Sequence, residues 1–142
     1  MEYQYIRVNY ESIVDWQLST DILRCNRSFH GHPRYDHVII ATENSHFFAR
    51  LLRLFKISIG TESHLLAYIQ SYCRPPGQVK RKDRDLGLYR VRKKANPYEI
   101  TPIQSIIRGA LLVQDSENPD DYFVVDTIDT DMFLRVRHHL VS

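Results

Sequence analysis

Three groups of side chains along these 142 residues have types and spacing that could do chemistry. The first is His30-Gly31-His32 with Asp36 and His37. An H-x-H pair on a strand sets two imidazoles on one face, and imidazole beside carboxylate is a familiar donor set for a divalent metal. A metal-dependent enzyme built on His30, His32 and Asp36 is the reading this would support. No third ligand at a suitable spacing completes the set, and a histidine-rich turn ahead of Pro33 also reads as ordinary surface, so no metal ligand is assigned. The second group is Asp126, Asp129 and Asp131, which lack the glycine and closing glutamate of a calcium loop and are read as caps of a last helical turn. The third is a run of cations. Lys80, Arg81, Lys82, Arg84, Arg90, Arg92, Lys93 and Lys94 are candidates for phosphate contacts in nucleic acid. Few rings interleave them, only Tyr89 and Tyr98, so backbone attraction without base readout is expected.

The formal net charge of +2 hides this segregation. Arg74 to Lys94 carries nine basic residues against Asp83 and Asp85, while Asp115 to Asp131 carries seven acids and no Lys or Arg. Either the basic segment faces a polyanion or the two oppositely charged segments meet each other, and the pattern allows both. No nucleophile elbow, phosphate loop or dinucleotide fingerprint occurs, and five glycines leave little material for phosphate-cradling loops, so neither a catalytic residue nor a cofactor is assigned. Cys25 and Cys73 stand apart from any C-x-x-C pair and are expected to be reduced, buried thiols. No apolar run is long enough for a membrane helix, and the N-terminus has no signal pattern, so an intracellular protein without membrane contact is expected.

The elements that position these groups read mostly as strands. Val, Ile, Tyr and Phe recur in short runs between polar or Pro/Gly breaks, and the length suits a single domain spanning 1–142. Tyr3 to Tyr10 is an opening strand and Ile22 to Phe29 a second extended piece. Val38 to Ala41 and Phe47 to Ile57 form a hairpin about Glu43-Asn44-Ser45, although Phe48, Leu51, Leu52 and Phe55 also fit a helical stripe. Leu65 to Tyr72 is a strand closed by Arg74-Pro75-Pro76-Gly77, and Gln78 to Asp85 reads as an exposed, mobile loop. Leu86 to Val91 is a strand, Asn96-Pro97 a break, and Thr101-Pro102 the start of a helical turn. Ala110 to Val113 and Phe123 to Val125 are strands. Thr130 to Val136 is an amphipathic helical turn offering Met132, Phe133 and Val136 to the core, and 126–142 is the C-terminal helical part. Phe48, Leu52, Leu66, Ile69 and Leu112 are expected to be buried.

In order along the chain, several pieces resemble the bromo-adjacent homology (BAH) domain. His46-Phe47-Phe48-Ala49-Arg50-Leu51-Leu52 is similar to that family's aromatic-x-Ala/Gly-Arg-Ile strand, and Tyr72-Cys73-Arg74-Pro75-Pro76 to its aromatic-Tyr-Arg-Pro-Glu strand end, with Pro76 in place of the acid. Ile103 to Gly109 followed by Ala110-Leu111-Leu112-Val113 is similar to its Ile-x-Gly-x-Cys-x-Val element. The resemblance covers about 37–125. It implies a mostly β fold, a small distorted antiparallel β-barrel with one or two short helices, and a protein-interaction role in chromatin. Tyr68, Tyr72 and Arg74 are the candidate protein contacts, with a chromatin protein or histone tail as the candidate partner. Ser71 and Cys73 stand where the aromatic cage of methyl-lysine readers has its rings, and neither supplies a π face. Tyr122 to Arg135, with HGHPRYD and SIIRG, also resembles uncharacterised transposon-associated proteins of mushroom-forming fungi. The implied setting is nuclear. The expectation is therefore a non-catalytic binding module, with nucleic-acid binding through 78–94 as the alternative.

Overall fold

The computed structural model describes residues 2–137. In chain order it runs through β1 (Glu2–Tyr3), β2 (Tyr5–Glu11), β3 (Leu18–Phe29), β4 (His32–Tyr35), β5 (His37–Ala41), β6 (His46–Ile59) and β7 (Glu62–Cys73). A short helix α1 (Arg81–Leu86) precedes β8 (Tyr89–Pro102), and a 3₁₀ turn at Ile103–Ser105 leads to β9 (Ile106–Ala110). β10 (Leu112–Gln114), β11 (Asp121–Val124) and α2 (Thr130–Arg135) complete the described chain. The main antiparallel sheet has the order β10-β11-β8-β7-β6-β5-β9, with β1 beside β6, and β2-β3-β4 form a second, three-stranded sheet. β9 and β10 lie at opposite ends of that order yet are separated in sequence only by Leu111, whose carbonyl accepts from Val125 N at 2.8 Å. The sheet thus curls into a nearly closed barrel, the mostly β fold with two short helices expected from the sequence.

Two cores share this sheet. Val38 and Ile40 of β5 pack outward with Ala49, Leu51, Leu54, Ala67 and Ile69 against Val8 and Leu23 of the small sheet. Ile39 points the other way, into the barrel, with Phe48, Tyr72, Tyr89, Val91, Leu112 and Val124, and Met132 of α2 and Val136 just after it plug that interior. A strand covered on both faces reads as an unbroken apolar run, which is why β5 is VII without alternation. Gly109 in β9 lies where the two sheets approach; a Cβ there would stand 2.8 Å from Leu23 Cδ2.

The helical stripe in β6 has a structural cause. Leu51 pairs with Ile69 and Arg53 with Tyr68, so Leu52 is an extra, bulged residue. One inserted residue reverses the alternation, and Leu51 and Leu54 reach the same core at a helix-like spacing of three. Leu52, displaced by the bulge, is half-buried, as is Leu66, whereas Phe48, Ile69 and Leu112 are buried as expected. Asn96-Pro97 does not break the chain: β8 passes through it by a larger bulge, with Lys93 paired to Tyr72 and Tyr98 to Gln70, and the proline occupies the unpaired stretch. Gln78 to Asp85, expected as a mobile loop, instead leads into α1, which ends on Gly87 in the left-handed conformation. The expected strand from Ala110 to Val113 is split at Leu111, where the barrel turns its corner. Phe133 of α2 is 40% exposed and Cys73 is exposed, so neither joins the core as expected, while Cys25 is buried. Residues 138–142 of the expected C-terminal part lie outside the described residues.

Candidate binding surfaces

The two oppositely charged segments meet inside the protein. β11 pairs with β8 so that Asp121 faces Arg92 and Phe123 faces Arg90. Arg90 Nη1 donates to Asp115 Oδ2 at 2.6 Å and to Asp121 Oδ2 at 2.8 Å, while Nε donates to Asp83 Oδ2 at 2.8 Å. Arg92 Nε and Nη2 donate to the two oxygens of Asp121 at 2.6 and 3.1 Å. The Arg90 guanidinium also lies 4.5 Å from the Phe123 ring centroid. Asp83, Arg90, Asp115 and Asp121 are all buried, and such groups stay charged only because each has a partner. The hydrogen bonds from Arg90, then from Glu117 N, hold the Asp115 carboxyl down at about 2. Arg90, expected as a phosphate contact, is therefore turned away from solvent, and Arg92 is only partly exposed.

A second network ties the small sheet to α2. Arg108 donates to Asp131 Oδ2 at 2.8 Å and to Asp129 Oδ2 at 2.9 Å, Arg135 donates to Asp131 Oδ2 at 2.7 Å, and Asp131 Oδ1 accepts from Ile13 N at 2.8 Å. Asp129 caps α2 by accepting from Met132 N, the role read from the sequence. The acidic segment is thus largely internal structure, not a solvated turn.

Withdrawing these acids leaves cations outside. Lys80, Arg81, Lys82, Arg84, Lys93 and Lys94 are exposed; the exposed carboxylates beside them are Asp85, 3.6 Å from Arg81, and Asp120, whose backbone carbonyl accepts from Lys93 N at 3.3 Å. Arg74, expected as a protein contact, belongs to this surface too; its guanidinium lies 4.4 Å from the Tyr89 ring centroid. A cavity of about 300 Å³ opens here, lined by Arg74, Lys80 and Arg92 with Asp83 and Arg90 beneath and the 75–79 turn at its side.

Tyr72, also expected as a protein contact, is buried in the barrel with its hydroxyl 3.4 Å from His37 Nε2. Tyr68, four residues earlier on the same strand face, is only half-buried, and it stacks on Tyr98 at 5.8 Å between centroids and 23° between planes. The strand face that fills the barrel at Phe48 and Tyr72 thus continues into the open at Phe55, Tyr68 and Ile100, which line a wide hollow of about 560 Å³. The sequence offers Tyr98 only as a ring beside the cations and gives no role to Ile100; their i, i+2 alternation was the available signal, masked by Asn96-Pro97. Beyond Lys93 the far edge of β8 pairs with no strand among the described residues.

No family model matches this chain, and no curated protein or solved structure matches it.

His30 sits at the β3–β4 turn with φ 51° and His32 is exposed, whereas Asp36 accepts from Arg24 N at 2.8 Å and from Arg34 Nε at 3.1 Å. His37 turns away toward Tyr72 and Tyr122, with ring centroids 5.8 Å from each. Among the described residues no three His, Cys, Asp or Glu are placed to hold a metal ion, and no helix is long and apolar enough to cross a membrane.

Proposed function

We propose that this protein is a non-catalytic binding module that holds nucleic acid by its phosphate backbone, through Lys80, Arg81, Lys82, Arg84, Lys93 and Lys94. The observation that carries the reading is the burial of Asp83, Asp115 and Asp121 against Arg90 and Arg92, which leaves the outer surface of this segment with a cationic excess. Cations on one face attract a polyanion by counterion release and need no base contact. The resemblance to BAH domains and to transposon-associated fungal proteins supports a nuclear, chromatin-linked setting. Binding to duplexes of unrelated sequence should be equal, and should weaken steeply as salt is raised. Sequence preference, or indifference to salt, would refute it.

A second reading, docking of an extended protein segment, is supported by the Tyr68–Tyr98 stack beside the edge of β8 that pairs with no strand among the described residues. A free edge offers backbone donors and acceptors to an added strand, and the adjacent rings and Ile100 offer apolar contact. Replacing Ile100 by Pro would remove an edge donor and should abolish such docking while leaving nucleic-acid binding intact.

A further inference from the structure

The exposed cations do not form a uniform patch, because three of them surround a concavity. Arg74, Lys80 and Arg92 line the cavity of about 300 Å³, and its floor reaches Asp83 and Arg90, which are 2% and 7% exposed. At the floor, Arg90 and the part-exposed Arg92 face Asp83, Asp115 and Asp121, two guanidiniums against three carboxylates, so this cluster, Arg92 included, is one charge negative. Arg74 and Lys80 reverse that sign at the mouth. Two of the three lining cations are held in place before any ligand arrives: Arg92 by two hydrogen bonds to Asp121, Arg74 by its seat over Tyr89. Arg92 Nη1 is not engaged by these bonds.

We infer that this cavity receives a terminal phosphate, the phosphomonoester at the end of a nucleic-acid strand. The inference rests on the nucleic-acid reading above and adds the ligand group to it. A backbone phosphodiester is flanked by sugars on both sides and offers two unshared oxygens, so it follows an open surface more readily than it enters a hollow. A phosphomonoester projects from one carbon, carries about −1.5 to −2 charges at neutral pH and offers three acceptor oxygens. Arg74 and Lys80 supply the charge such a group needs, and Arg92, fixed on Asp121, adds a guanidinium donor at the rim of the recess.

The test compares oligonucleotides of one sequence ending in 5′-phosphate, 3′-phosphate or hydroxyl, by fluorescence anisotropy at 0.1 M salt. A terminal phosphate should tighten binding roughly five- to eightfold, the value of one contact that releases counterions. Lys80→Ser with Arg74→Gln should erase that preference. Arg81→Ser with Arg84→Ser, the same loss of charge outside the cavity, should weaken every oligonucleotide alike and keep the preference. Lys80→Ser alone serves as the check if Arg74→Gln disturbs folding over Tyr89, since Lys80 is exposed. Inorganic phosphate should compete with the phosphorylated ends before the hydroxyl ends. Equal affinity for all three ends overturns this inference and leaves backbone binding standing, and no binding of any end overturns both. A preference that survives Lys80→Ser with Arg74→Gln, or a phosphoserine peptide that binds more tightly than the phosphorylated strands, assigns the phosphate elsewhere.

Discussion

Asp83 accepts both Nε and Nη2 of Arg90, at 2.8 and 3.3 Å, so the carboxylate in the middle of the basic segment lies under the surface and its cationic neighbours lie on it. The two side chains are seven residues apart, and the turn of α1 between them brings them together. This pair separates structural charge from available charge in the segment.

Removing Arg90 should therefore damage the fold more than binding surveys of exposed lysines would suggest. Arg90→Met leaves Asp83 and Asp115 buried without their cation and Asp121 with Arg92 alone. Loss of one partner from a buried ion network costs about 3–5 kcal/mol. Urea unfolding should show that loss, against a change near zero for Lys80→Ser. A stability close to the parent's for Arg90→Met would mean the three carboxylates find other partners.

Acid should destabilise the protein well before the aspartates titrate. Burial first, and then the Arg50 guanidinium, pull His37 from 6.5 to about 4. The unfolded chain takes up this proton near 6.5 and the folded protein resists it until about 4. Stability is thus complete above about 6.5 and falls by about 3 kcal/mol between there and pH 4. Asp115 and Asp121 are held below the usual carboxylate range by Arg90 and Arg92, and they extend the loss in the same direction at lower pH. Denaturant unfolding at pH 7 and pH 4.5 should show a smaller difference in His37→Gln than in the parent, and an unchanged difference would exclude His37 as the source.

The two cysteines should differ in reactivity. Cys73 is exposed at the end of β7, while Cys25 is buried and desolvation pushes its thiol up to about 11. A thiol-specific reagent at pH 8 should label one cysteine in the native protein and the second only after unfolding. Labelling of both at similar rates would contradict the packing of β3.

The barrel was legible where strand patterns were strong: β6 and β7 and the hairpin at 43–45 appear as read. The helical alternative in β6 came from the Leu52 bulge, and one extra residue leaves no mark on composition. The site was legible only as charge. Two segments with opposite surplus suggested either mutual contact or a polyanion; Arg90 and Arg92 make the mutual contact, while Lys80, Arg81, Lys82, Arg84, Lys93 and Lys94 stay exposed. That division depends on pairing between β8 and β11 across some 30 residues, which no local pattern encodes. Tyr72 was misplaced for a related reason: Tyr68 and Tyr72 share one strand face, but the barrel closes over only one end of it.

The central claim is tested most directly by the salt dependence of duplex DNA binding, measured on the parent and on a variant carrying Lys80→Ser, Arg81→Ser, Lys82→Ser and Arg84→Ser. The parent should show log K falling with log salt by about 0.9 for each phosphate contact, and the variant a shallower slope with a melting temperature close to the parent's. A variant that binds as tightly as the parent at low salt, or a parent that does not bind DNA there, would contradict the account and leave these cations as a solvated surface.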